Sequence, residues 1–281
     1  MPARVLQFSD IHFGCEDALA LRAATDFAQA TPFDLLVLSG DITQFGHENE
    51  FEAAASWLKT APGPILSTPG NHDTPWAGLW ERFTDPFGLY ARIIGTPAEA
   101  SFERGALKVE ALNSARGWQL RLNWSKGEIS RRQASSASKR LADATPSATR
   151  LLVCHHPLVE VVGGPMTGRV RGGRWAAERF VAAGVDIILT GHLHAPFFQA
   201  LPFGDGRTYA VGAGTLSRRE RGAPPGFNVI EIDGDQLTVK AMAWNGRSLE
   251  VWRTWAAQLR PRSAPSAVAS AHSPQEIGAE R

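Results

Sequence analysis

The chain has 281 residues and a mass of 30.4 kDa with 43% hydrophobic residues, enough to bury a sizeable core, so a small stapled scaffold is excluded. Its 29 Lys and Arg against 28 Asp and Glu give a formal charge of +1, so no overall field draws it to nucleic acid or to an anionic membrane. Only Cys15 and Cys154 occur, outside any C-x-x-C arrangement, which excludes a disulfide framework and points to a reducing compartment, the cytoplasm.

The first eight residues hold one short apolar stretch before the polar Ser9-Asp10-Ile11-His12, so no secretory leader is expected, and no apolar run approaches the ~20 residues of a spanning helix. Three β-rich runs then end in polar turns: 5–8 before Ser9-Asp10, 35–38 before Ser39-Gly40-Asp41, and 65–66 before Thr68-Pro69-Gly70-Asn71. Between them lie 16–30 and 48–59, where Leu19, Ala23 and Phe27, then Phe51, Ala55 and Leu58, recur at helical spacing. Strand, helix, strand, helix, strand is the pattern of an α/β sheet with crossover helices. Residues 74–106 carry no readable period and are expected to form an irregular cap. The alternation resumes with a strand at 151–154, a helix at 174–183 and a strand at 185–189. From 197 onward, five strand-like runs are separated by turn residues and read as antiparallel hairpins. One domain over 1–260 is expected. Residues 261–281, rich in Ala, Ser and Pro, cannot offset their ordering entropy by burial and are expected to be a disordered tail.

Six of the eight histidines fall in four short segments: Asp10-Ile11-His12, Gly70-Asn71-His72-Asp73, Cys154-His155-His156-Pro157 and Gly191-His192-Leu193-His194. Gly40-Asp41 adds another acid. Singly, such turns are most often satisfied structural pairs. Each follows directly on a predicted strand, however, and ligands bind at strand ends of open α/β sheets, so the five segments are expected to converge on one crevice. Imidazole, carboxylate and amide donors without a thiolate suit Zn, Fe or Mn rather than a structural zinc, and an acid between two ions can bridge them.

These ordered blocks, D-x-H, G-D, G-N-H-D, the His155-His156-Pro157 histidine and G-H-x-H, resemble the calcineurin-like metallophosphoesterases over roughly 5–194. The contexts Ser39-Gly40-Asp41 and Thr215-Leu216-Ser217 are most similar to the bacterial class III cyclic-nucleotide or glycerophosphodiester phosphodiesterases. The resemblance implies a four-layer αββα sandwich and a site for two divalent metal ions, Mn, Fe or Zn. It implies that Asp10, His12, Asp41 and His194 hold the first ion, and that Asp41, Asn71, His155 and His192 hold the second. It further implies hydrolysis of a small phosphodiester by in-line attack of a hydroxide held on the metals, with His72 beside the substrate and Asp73 orienting its imidazole. Two divalent ions against Asp10 and Asp41 leave such a site about two units positive, which attracts an anionic phosphate although the chain is nearly neutral.

Outside that set, His156 reads as a turn residue fixing His155, Cys154 as a small buried group, and His47 and His272 as solvated. Two basic Gly-rich loops, 168–174 and 217–222, offer arginines suited to bidentate phosphate contact, with Arg169, Arg171 and Arg218 as the candidates. Trp57, Trp118, Trp244, Trp252 and Trp255 are expected in the core, and Trp76 and Trp80 at the pocket mouth. Rival readings are a phosphomonoesterase, a UDP-diacylglucosamine-type pyrophosphatase using an acyl-binding cap, and a scaffold that has lost catalysis. No nucleic-acid partner is expected, and a homo-oligomer is compatible with the sequence.

Overall fold

A computed structural model describes residues 2–120, 123–164 and 170–261. Two six-stranded sheets lie face to face. The first has the order β12-β11-β10-β1-β2-β3 and is built from β1 (Ala3–Phe8), β2 (Leu35–Ser39), β3 (Ile65–Thr68), β10 (Gly226–Asp233), β11 (Gln236–Trp244) and β12 (Leu249–Gln258). The second has the order β4-β5-β6-β7-β9-β8, from β4 (Ser101–Arg104), β5 (Leu107–Ala111), β6 (Thr149–Val153), β7 (Ile187–Thr190), β8 (Phe197–Ala200) and β9 (Tyr209–Gly212). β1, β2 and β3 run parallel, as do β5, β6, β7 and β9, while β10, β11 and β12 form an antiparallel meander added beside β1.

Two-residue alternation decides which face each side chain takes. Val5, Leu35, Val37, Val109, Leu151, Val153, Ile187, Leu189 and Ile230 point between the sheets and form a fully buried inner core. Leu6, Phe8, Leu36 and Leu38 point outward and pack under α1 (Ala18–Ala30) and α2 (Glu48–Leu58), whose Ala20, Ala24, Phe51 and Ala54 cover them. On the far side, Leu152, Cys154 and Ile188 are covered by α4 (Arg131–Ala142) and α5 (Gly173–Ala182). These four layers are the αββα sandwich that the sequence implied. No helix among the described residues is long and apolar enough to cross a membrane.

The runs after 196 pair as antiparallel hairpins, β8 with β9 and β10 through β12, and the structure divides them: β8 and β9 join the second sheet, with β9 parallel to β7, whereas β10 to β12 complete the first. Two parts of the reading change. Residues 74–106 include a short helix, α3 (Leu79–Thr84), a π-helical turn at Tyr90–Ile94 whose Tyr90 is fully buried, and β4. Trp118 is 45% exposed rather than core. The expected tail lies outside the described residues apart from position 261.

Candidate metal centre

β1, β2, β3, β6 and β7 all end at the same edge of the sandwich, and the five polar segments follow them directly. The parallel ladder runs on beyond the strands: Asp10 N donates to Gly40 O at 3.0 Å and His12 N to Asp41 O at 3.1 Å. There the backbone turns sharply. Asp10, His12, Asp41, His192 and His194 all have left-handed φ, from 51° to 69°, and they are the only non-glycine residues with positive φ among the described residues. Such a conformation costs a side-chain-bearing residue about 1 kcal/mol or more, and concentrated strain of this kind marks a functional site.

The strained turns bring two donor sets together. Asp10, His12, Asp41 and His194 are all buried, with ligand-type atoms within 4.8 Å of one another. His12 Nδ1 donates to Thr43 O at 3.2 Å and His194 Nδ1 to Arg219 O at 2.6 Å, so each ring presents a bare Nε2 to the centre. Those two Nε2 atoms face each other at 3.3 Å, a clash of lone pairs that a cation between them relieves. In the second set His155 Nδ1 donates to Ser39 O at 2.9 Å, which turns its Nε2 toward Asp41, and the Asn71 Oδ1 is a buried polar atom without a hydrogen-bond partner. An orphaned buried acceptor of this kind fits a metal ligand. His156 belongs to a cluster with His155 and His192 by distance alone. Its Nε2 donates to Ser125 O and its Nδ1 accepts from Ser114 Oγ, both at 2.8 Å, so it has no nitrogen to offer.

The electrostatics match. Burial pushes the Asp10 and Asp41 carboxyls up, but the imidazoles of His194 and His155 respectively outweigh it, and both groups stay below the usual carboxylate range. Burial drives His12 and His192 down to about 3, so both rings are neutral. For His155 burial is again adverse, yet Asp41, with Oδ2 3.1 Å from Nε2, raises it to about 9. A proton there occupies the place a metal cation would take.

The sequence profile of the calcineurin-like phosphoesterases matches residues 3–196, a span that holds every one of these donors. The chain belongs to that family. It is 27% identical over 258 residues to a protein of Synechococcus sp. named "Probable cyclic nucleotide phosphodiesterase", covering 87% of this chain and 93% of the relative. It is 28% identical over 172 residues to the 3',5'-cyclic adenosine monophosphate phosphodiesterase CpdA of Escherichia coli K12, covering 55% of this chain and 56% of the relative. In fold it is similar to the yellow lupin purple acid phosphatase PPD1, with a TM-score of 0.66 at 14% identity over 92% of this chain and 54% of the other. A dimetal phosphatase of Danio rerio gives a TM-score of 0.63 at 11% identity over 91% and 98% of the two chains. The protein is therefore a metal-dependent phosphoesterase.

Glycines in the calcineurin-like motifs make room for ligands on neighbouring loops. A Cβ on Gly70 would collide with Asp41 Oδ1, and one on Gly191 would collide with Ser9 Oγ and lie 2.5 Å from Asp10 Oδ2. The Asp73 expectation is corrected. Its carboxylate does not reach the His72 ring; it accepts from Thr43 N and Thr43 Oγ1 at 2.8 Å, Gly70 N at 2.8 Å and Ile42 N at 3.1 Å. It thereby clamps the loop after β2 to the loop after β3, with burial and Asp41 raising it to about 6. His72 Nδ1 donates instead to Gln44 O at 2.6 Å, while His72 N donates to Asp41 Oδ1 at 2.8 Å.

The candidate arginines are not brought together as the candidate metal donors are. Arg169 lies outside the described residues. Arg171 is exposed with Nη1 3.8 Å from Glu128, and Arg218 is exposed with its N–H on Cys15 O. The arginines that reach the centre are their neighbours: Arg219 Nη1 donates to His72 Nε2 at 3.0 Å, and Arg221 Nη1 to His192 O at 3.1 Å. Nothing in the order of 217–222 marks which arginine turns inward; in the structure Ser217 is buried, Arg218 exposed and Arg219 half-buried. Beside His72 opens a cavity of about 460 Å³ walled by Phe45, Asn71, Trp76, Leu79 and Trp124. Trp76 is thus at the pocket mouth, as the sequence suggested, and Trp80 projects from α3, 76% exposed.

Proposed function

We propose that this protein hydrolyses a small phosphodiester, a cyclic nucleotide or a glycerophosphodiester, at a centre of two divalent ions. The observation that carries the reading is the position of Asp41: its Oδ2 is 3.1 Å from His155 Nε2 and 3.9 Å from His12 Nε2, so one carboxylate faces both donor sets. Asp10, His12, Asp41 and His194 would hold one ion, and Asp41, Asn71, His155 and His192 the other. Manganese, iron and zinc all suit imidazole, carboxylate and amide donors. Ions bound there supply Lewis-acid polarisation of the phosphoryl group and acidify water. The chain's own residues orient the reaction. Neutral imidazoles and an amide, with only two acids, keep a surplus of positive charge for an anionic substrate, and His72 stands between the centre and the cavity that receives the substrate's alcohol group. The phosphodiesterase names of the relatives support the diester, and the near-neutral charge favours a small molecule over nucleic acid and agrees with a cytoplasmic enzyme.

The exposed ridge of Trp76, Leu79, Trp80 and Phe83 beside the cavity favours one second reading, a substrate with an apolar tail such as a nucleotide-lipid pyrophosphate. Metal-stripped protein titrated with manganese, iron or zinc separates the two. Cleavage of bis(p-nitrophenyl) phosphate in preference to p-nitrophenyl phosphate, abolished by chelator and by Asp41→Ala, is the expected result. Preference for the monoester would overturn the diesterase reading, and inactivity on both with two ions bound would move the assignment to the lipid-linked substrate.

A further inference from the structure

We infer that Arg219 is the residue that grips the substrate's phosphoryl group and that His72 positions it, an assignment that rests on the phosphoesterase reading of the centre. A guanidinium keeps its protons in proteins, so in the 3.0 Å contact Arg219 Nη1 is the donor and His72 Nε2 the acceptor. The other ring nitrogen, Nδ1, donates to Gln44 O at 2.6 Å. The Nδ1–H of His72 thus points away from the site, and its Nε2 is the face turned to the guanidinium. A lone pair at Nε2 repels an anionic phosphoryl oxygen, whereas a guanidinium held in the same place attracts it.

The guanidinium is fixed from one side only. Nη1 also donates to Gln44 Oε1 at 3.2 Å, which uses both of its hydrogens. Among the described residues, the edge formed by Nε and Nη2 donates to no protein atom. That edge is the planar fork that matches two oxygens of a phosphate. Its location is set by the centre itself. The 213–225 loop is tied to the first metal-binding turn by Thr215 Oγ1, which donates to Asp10 O at 2.7 Å, and Ser217 Oγ accepts from Arg219 N at 3.3 Å. Arg219 O holds His194 Nδ1, so one residue anchors a metal ligand through its backbone and His72 through its side chain. The ring of His72 stands edge-on to that of His12, with centroids 4.8 Å apart, which puts the guanidinium beside the first donor set.

Calorimetric binding of inorganic phosphate to the manganese-loaded protein tests this alongside kinetics on bis(p-nitrophenyl) phosphate. Arg219→Ala should weaken phosphate binding and raise KM by about tenfold or more, while metal content and melting temperature stay at wild-type values because the backbone contact to His194 remains. Arg219→Lys, which keeps the charge without the fork, should recover only a minor part of the affinity. His72→Ala should weaken phosphate binding several-fold, and His72→Gln, whose amide oxygen can accept from the same guanidinium, should restore most of that loss. Phosphate affinity in Arg219→Ala within twofold of wild type, with metal content intact, overturns the assignment to Arg219. A His72→Gln variant no better than His72→Ala overturns the positioning role. Should the wild type bind phosphate through Arg219 yet cleave neither aryl ester, the diesterase reading fails and Arg219 keeps its role.

Discussion

At the scale of single residues, the centre is built from conformations that the residues occupying them disfavour. Five proposed ligands sit in left-handed backbone, where a Cβ crowds the following carbonyl. His192 isolates the effect, since its φ is 69° and its backbone N–H is held by the Asp10 carboxylate whatever side chain it carries. In chelator, His192→Gly should therefore melt above His192→Ala by an amount equivalent to about 1 kcal/mol, because glycine adopts this φ freely. The opposite order in a thermal melt would show that the turn is unstrained. Metal should also stabilise the folded state by mass action, as the donor sets exist only there. Adding manganese to stripped protein should raise the melting temperature in a concentration-dependent way, and an unchanged melting curve would speak against a metal centre.

At the scale of elements, the loops after β2 and β3 are held in register by Asp73 rather than by packing. Four donors converge on that buried carboxylate, two from Thr43, one from Ile42 and one from Gly70. Asp73→Asn turns one acceptor oxygen into an NH2 group facing N–H donors, which should cost about 1–3 kcal/mol. It should also weaken metal binding through Asp41 and Asn71; unchanged stability and metal affinity would show that the clamp is dispensable. Helix α4 illustrates why some elements escaped the sequence reading. It buries only Ala134, Ala137, Ser138 and Leu141, and a single large apolar residue cannot announce a period. Its start was written in a capping box, Ser130 with Gln133, worth about 1 kcal/mol, and Ser130→Ala should lower stability by that order in a denaturant titration. The metal segments were legible for the opposite reason. Histidine and acid at strand ends are chemically conspicuous, and each follows an apolar run of clear alternation.

At the scale of the whole molecule, the C-terminal meander closes the sandwich onto its second sheet. Leu259 is fully buried in the inner core, and Arg260 follows it with Nη1 on Val185 O at 2.8 Å, Nη2 on Thr208 Oγ1 at 3.0 Å and paired contacts to Asp205. The domain boundary we propose falls just after this latch. Deleting residues 262–281 should leave melting temperature and metal content unchanged, whereas a further Arg260→Ala should destabilise the fold by about 1–2 kcal/mol. A large loss on the first deletion would place the boundary later in the chain.

The sequence alone determined the α/β class, the strands that carry the candidate site and the donor types that follow them, because these rest on local period and local chemistry. It named Asp10, His12, Asp41, Asn71, His155, His192 and His194 from motif order. Tertiary structure alone decided that β8 and β9 join one sheet and β10 to β12 the other, since alternation gives a strand two faces but not its neighbours. It also decided that Gln44, not Asp73, fixes His72, and that Arg219 rather than Arg218 turns toward the centre. Those contacts join residues 28 and 147 positions apart, and which of several equivalent polar groups meets another across such a distance is set by how the loops pack, not by their order in the chain.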